Sequence, residues 1–172
     1  MVCDFDTLRT HVANFAARCA EKLRKQQSAA SIVGVFVESN RFRPDLTQYC
    51  NMTEVSLPMP SSSTIEVVKA ATECLRRIYR EDIHYKRAGV VLMGVVPNAA
   101  VQTDLFTFDV EKYQHMMQLD SAVDRINKVD GTETVILSSQ QYPNGRKFAD
   151  AIKHDFKSAC PTTRWSDIIK LK

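Results

Sequence analysis

The sequence predicts an α+β fold, two helices laid on one face of an antiparallel sheet, and three observations lead to it. Apolar residues in the first 96 positions follow two periods, spacings of three and four in two segments and β-branched runs in three others. The first of those runs, residues 31–37 (Ser-Ile-Val-Gly-Val-Phe-Val), is almost continuously apolar, the pattern of a strand buried on much of both faces. The turn-rich residues 38–51 and the pair Pro58 and Pro60 punctuate the strands, and 44% apolar residues in a chain of 172 suffice for a core.

Taken in order, Leu8, Val12, Phe15, Ala16, Cys19 and Leu23 give an amphipathic helix from the N-cap Asp6 to near Gln27. The strand 31–37 follows, then a loop in which Arg41 and Arg43 flank Phe42, then a second short strand, residues 52–57, closed by Pro58 and Pro60. The two strands are expected to pair as a long-looped hairpin. Ser63-Thr64-Ile65-Glu66 has the Ser-x-x-Glu form of a capping box and opens a second helix through Ile65, Val68, Thr72, Leu75, Ile78 and Tyr79. Lys69, Arg76, Arg77 and Arg80 make its solvated face. Residues 85–95 form a third strand, beginning with Lys86 and Arg87, which alternation sends to opposite faces. The order α-β-β-α-β is a ferredoxin-like split β-α-β arrangement without its opening strand. Met1 to Cys3 supply at most the end of that strand, so the chain is expected to begin inside a domain.

Residues 1–96 are thus one domain, 97–109 a linker and 110–172 a small α/β extension. In the extension Val110, Tyr113, Met116, Met117, Leu119, Val123 and Ile126 mark a third helix stopped at Asp130-Gly131, and residues 132–139 read as a short strand. Pro143-Asn144-Gly145 leads into a fourth helical pattern through Phe148, Ile152 and Phe156, ended by Pro161. Trp165 reads as a plug that docks the tail onto this second half or, as the alternative, as a contact for a partner.

The net charge is only +3, so nucleic-acid binding would need local clusters of cations. Cys3, Cys19, Cys50, Cys74 and Cys160 are scattered, with no Cys-x-x-Cys pair, and read as reduced thiols of a cytoplasmic protein. No run approaches membrane-spanning length. No catalytic set converges: His11, His84, His115 and His154 are dispersed, five glycines build no phosphate cradle, and Asp4 and Asp6 read as helix-start caps, not as a metal pair.

The linker carries Gln102-Thr103-Asp104-Leu105-Phe106 after the helix-breaking Pro97-Asn98-Ala99-Ala100. A Leu-Phe pair with no apolar period beside it is either an anchor for a partner's pocket or a pair tucked onto the neighbouring domain. The segment resembles the bacterial sliding-clamp-binding peptide, Gln-Leu-(Ser/Asp)-Leu-Phe. Gln102, Asp104, Leu105 and Phe106 match, and Thr103 departs where the family usually has Leu.

The tail, Thr162-Thr163-Arg164-Trp165-Ser166-Asp167 followed by two aliphatics, a cation, Leu and Lys, resembles the carboxyl terminus of the UmuC group of Y-family translesion DNA polymerases. Ala20-Glu21-Lys22-Leu23-Arg24, Tyr85-Lys86-Arg87-Ala88-Gly89-Val90 and the clamp-like peptide agree in the same order. The resemblance implies that residues 1–96 are the little finger domain, which grips primer-template DNA, and that the last part is the UmuC-type extension. It implies DNA contacts at Lys86 and Arg87, with Arg41 and Arg43 as further candidates, clamp binding at the pentapeptide, and roles in the SOS response, mutagenesis and DNA repair. A UmuD'-like subunit and RecA are the further partners it implies. The family's magnesium and metal-binding carboxylates belong to a catalytic palm that precedes the little finger, so no cofactor and no catalysis are expected of this chain. The competing reading is a stand-alone ferredoxin-like regulatory module that dimerises through its sheet and never touches DNA.

Overall fold

The computed structural model describes residues 1–98, 110–131 and 133–141. Its elements are α1 (Phe5–Lys25), β1 (Ser28–Ser39), β2 (Cys50–Ser61), α2 (Thr64–Ile78), β3 (Tyr85–Pro97) and α3 (Val110–Val129), followed by a single 3-10 turn, Ser138–Gln140. The strands form an antiparallel sheet in the order β2-β1-β3. Val2 pairs with Tyr85 outside β3, its N–H donating to the Tyr85 carbonyl at 3.0 Å and its carbonyl accepting at 2.8 Å. This bridge is what the chain holds of the expected opening strand. It makes both crossovers split: α1 leads from Val2 to β1 across β3, and α2 leads from β2 to β3 across β1. The α+β fold read from the sequence is the one observed.

The helices share one face of the sheet. Val33, Val35 and Val37 of β1 point into that layer and meet Leu8, Val12, Ala13 and Ala16 of α1 and Val67, Ala71, Cys74 and Leu75 of α2 in one buried cluster. Small residues on α1 keep the layer thin. Burial raises the pKa of the Cys74 thiol, which donates to the Val33 carbonyl, and that of Cys19.

Several boundaries differ from expectation for identifiable reasons. The cap of α1 is Asp4, not Asp6: its carboxylate accepts the Thr7 N–H at 2.7 Å, while Asp6 lies in the first turn and pairs with Arg9 at 3.1 Å. The helix stops at Lys25 and the chain reverses through Gln27 at φ 51°. Strand β2 runs through Pro58 and Pro60 to Ser61. It is an edge strand, and its register against β1 shifts between Ile32↔Ser56 and Ala30↔Ser61, so the missing proline N–H groups fall where no ladder needs them. The capping box at α2 does not form. Ser63 is the N-cap, yet its side chain makes no cap hydrogen bond, and the Thr64 N–H donates to both carboxylate oxygens of Asp120 in α3 at 3.3 Å.

In the extension α3 ends where predicted, before Gly131 at φ 110°. Residues 133–137 are turn and irregular backbone leading into the 3-10 helix, not part of the expected strand. The side-chain amide of Asn127 takes both backbone groups of Val135, accepting its N–H at 2.8 Å and donating to its carbonyl at 2.9 Å, as a neighbouring strand would have done. The fourth helical pattern and Trp165 lie outside the described residues.

Candidate nucleic-acid interface

The face of the sheet away from the helices is uncovered within the described residues. Strand alternation and register place Ile32, Gly34, Phe36 and Glu38 of β1 on it, beside Met52 and Glu54 of β2 and Arg87, Gly89, Val91 and Met93 of β3. Two glycines shape it. A Cβ at Gly89 would lie 2.4 Å from the Phe36 ring, so the ring rests on bare backbone, and Gly34 underlies the methyl tips of Met52 and Met93.

At one end of this face two cations meet at one carboxylate. Glu38 stands opposite Arg87 in the ladder and accepts from its Nη1 at 3.1 Å through Oε2, while Oε1 faces Arg41 Nη2 at 3.4 Å. The Glu38 side chain is 16% exposed and those of Arg87 and Arg41 are 67% and 71% exposed. The carboxylate therefore holds two guanidinium groups side by side, leaves a net positive charge, and leaves most of their N–H donors facing solvent.

The other two sequence candidates are placed differently. Lys86 is the residue skipped where the pairing steps from Glu38↔Arg87 to Ser39↔Tyr85; this irregularity breaks the expected alternation and leaves Lys86 exposed beside Arg87. Arg43 turns into its own loop and binds Asp45 in two-point fashion, Nε to Oδ1 at 2.8 Å and Nη2 to Oδ2 at 2.7 Å. That hydrogen-bonded contact raises the Arg43 pKa and lowers that of Asp45. Arg41, Lys86 and Arg87 thus share one end of the sheet, and Arg43 spends its charge locally.

A second arrangement ties the extension to the first domain. Arg24, at the end of α1, binds Asp124 of α3 through Nε and Nη2, both at 2.7 Å, and its Nη1 donates to the Ser62 carbonyl at 2.8 Å and to Thr64 Oγ1 at 2.9 Å. Asp120 lies 3.5 Å from Nη1. Burial opposes the charge on Arg24, but the hydrogen bond to Asp124 and the charges of Asp120 and Asp124 outweigh it and raise its pKa. Nearer the start of α1, Asn14 Nδ2 donates to the Gln140 backbone carbonyl at 3.0 Å and Asn14 Oδ1 accepts from Gln140 Nε2 at 3.3 Å, and Leu137 packs against the core. Gln102, Asp104, Leu105 and Phe106 lie outside the described residues. Before them, the Asn98 N–H donates to the Gln27 carbonyl at 2.9 Å, fixing the exit from β3.

Sequence reading missed Glu38, Arg24, Asp120 and Asp124. The i, i+4 spacing of the two aspartates on α3 places them on one helix face, which was the available signal. Among the described residues no helix is long and apolar enough to cross a membrane.

Comparison with known proteins adds to this geometry. Residues 1–105 match the family described as the impB/mucB/samB family C-terminal domain, and residues 117–171 match a domain of unknown function. The protein UmuC of Salmonella typhimurium is 30% identical over 171 residues, covering 99% of this chain and 39% of that protein. The protein ImpB of Salmonella typhimurium is 27% identical over 167 residues, 97% of this chain and 38% of its own length. The protein MucB of Escherichia coli is 38% identical over 95 residues, 55% of this chain and 22% of its own length. The chain therefore spans about two fifths of the length of the first two relatives.

Proposed function

The chain belongs to the impB/mucB/samB family, and from that premise we propose that it is the DNA-gripping and clamp-docking part of a UmuC-like translesion polymerase acting in SOS mutagenesis and DNA repair. The observation that carries this reading is the pair Arg41 and Arg87 held around Glu38 at one end of an uncovered sheet, with Lys86 beside them. Exposed guanidinium and ammonium groups on one edge neutralise phosphates without reading bases, which is what a polymerase needs of a grip that slides. Gln102, Asp104, Leu105 and Phe106 are proposed to dock on the sliding clamp, Leu105 and Phe106 as anchors and Gln102 as the register-setting hydrogen-bonding group. The family relationship supports a UmuD'-like subunit and RecA as partners, a cytoplasmic location, and magnesium chemistry carried by a palm rather than by these residues.

A second reading has its own observation. Beyond the Val2–Tyr85 bridge the outer edge of β3 has no strand partner among the described residues, and such an edge can pair with a second copy of the chain. One titration separates the two. Fluorescence anisotropy of a labelled primer-template should rise on adding the chain and rise further when the sliding clamp is added. A chain that sediments as a dimer and leaves the DNA signal flat supports the second reading and rejects the first.

A further inference from the structure

Phe42 is 93% exposed, the most exposed large hydrophobic side chain among the described residues. An isolated apolar side chain on a surface ordinarily needs no explanation. This one stands on a loop whose shape is fixed. The Gln48 side-chain amide is shared among the carbonyls of Asn40, Arg43 and Leu46 at 3.2, 2.9 and 3.1 Å. Asn40 Oδ1 accepts the Phe42 N–H at 3.1 Å, and the Arg43 N–H closes a turn on the Asn40 carbonyl at 3.1 Å. The base of the loop is closed between Ser39 and Tyr49, Ser39 N–H to Tyr49 carbonyl at 2.8 Å and Tyr49 N–H to Ser39 Oγ at 2.9 Å. The ring is presented at low entropic cost.

The two flanking arginines are both turned away from it, Arg41 to Glu38 and Arg43 to Asp45, so neither guanidinium covers the ring. A bare π-face remains, next to a cationic edge.

We infer that Phe42 is a stacking platform for an unpaired nucleobase at a junction whose duplex phosphates are held by Arg41 and Arg87 beside it. The inference rests on the DNA-binding reading above and sharpens it: single-stranded DNA at the junction is the ligand of the loop, and duplex is the ligand of the cationic edge. Bases inside a duplex already stack on each other, whereas an unpaired base offers a face to an aromatic side chain and gains on the order of 1–3 kcal/mol, a factor of about 5 to 150 in affinity.

The test uses the full chain with Phe42→Ala and Phe42→Leu, measured against oligo(dT) and against a blunt duplex of equal length at one salt concentration. Phe42 is exposed and makes no core contact, so both variants keep the fold, which a thermal melt verifies. Both should bind oligo(dT) at least fivefold more weakly than the parent and bind duplex unchanged, because Leu keeps the apolar surface and loses the π-face. In a Trp165→Phe background, Phe42→Trp should show fluorescence quenched by oligo(dT). Parental affinity of both variants for oligo(dT), or parental affinity of Phe42→Leu alone, overturns the stacking role while leaving the DNA reading intact. An equal loss on both DNAs also overturns it. Absence of binding to either DNA by the parent chain overturns both.

Discussion

Arg24 and Asp124, one hundred residues apart, form a two-point guanidinium–carboxylate pair with both contacts at 2.7 Å, and this pair fastens α3 to the ends of α1 and α2. The same guanidinium also satisfies the Ser62 carbonyl and Thr64 Oγ1, and Asp120 beside it takes the free N–H at the start of α2. None of the described apolar side chains of α3 joins the buried core cluster, so this helix is held by directed contacts rather than by burial.

Removing Arg24 should expose this dependence. The side chain is only 11% exposed, and Arg24→Met leaves Asp120 and Asp124 facing each other without their cation. Loss of one member of a largely buried pair costs about 3 kcal/mol or somewhat less where one partner is part-exposed, as Asp124 is. Amide hydrogen exchange should accelerate in α3 well before β1. Arg24→Lys should restore little, since a single ammonium cannot make four contacts in a plane.

The uncovered sheet face makes a different expectation at Gly89. A Cβ there would stand 2.4 Å from the Phe36 ring, so Gly89→Ala forces the ring off its site at a cost of about 1–3 kcal/mol. The double variant Gly89→Ala with Phe36→Leu should regain most of that loss in a urea titration. If the single variant melts with the parent, the ring is not seated as described.

Asp4 sets a pH dependence of known sign. Its carboxyl is held below the ordinary value of 3.8, first by the hydrogen bond with Thr7. A lowered folded-state pKa contributes stability that is complete above the unfolded value and is lost as pH falls through the folded one. Asp4→Ala should cost about 1 kcal/mol at neutral pH, as loss of an N-cap does. The gap between variant and parent should narrow as the pH falls below 3.8.

The clamp peptide gives a binding expectation without a folding one. Truncating a buried Leu or Phe anchor costs on the order of 2 kcal/mol or more, so Leu105→Ala with Phe106→Ala should lower clamp affinity about a hundredfold and leave the melting temperature alone. A destabilised protein with parental clamp affinity would mean that the pair packs on its own domain.

How much of this was legible depended on whether the determining contacts were local. The five elements of the first domain were legible from local pattern, Leu8, Val12 and Ala16 by helical spacing and residues 31–37 as a β-branched run. That run promised burial on both faces, yet only Val33, Val35 and Val37 enter the core, the face of Ile32, Gly34 and Phe36 having no layer over it among the described residues. The strand expected at residues 132–139 failed although Val135 and Ile136 are good strand formers, since Asn127 occupies the backbone groups a strand would need. Ser63 and Glu66 had the form of a capping box, but the Ser63 N–H donates to Ser61 Oγ, and a carboxylate from α3, far along the chain, caps the Thr64 N–H. Of the DNA candidates, the family resemblance marked Lys86 and Arg87, but nothing in the sequence showed that Glu38 gathers Arg41 and Arg87 or that Arg43 is spent on Asp45.

The central claim, that the cationic end of the sheet grips DNA through phosphates, is tested most directly by the salt dependence of primer-template affinity in the parent chain and in Lys86→Ala with Arg87→Ala. Each phosphate contact contributes a slope of about 0.9 in log affinity against log salt, so the double variant should bind more weakly on every sequence with a slope smaller by about two. An unchanged affinity and an unchanged slope would contradict the claim.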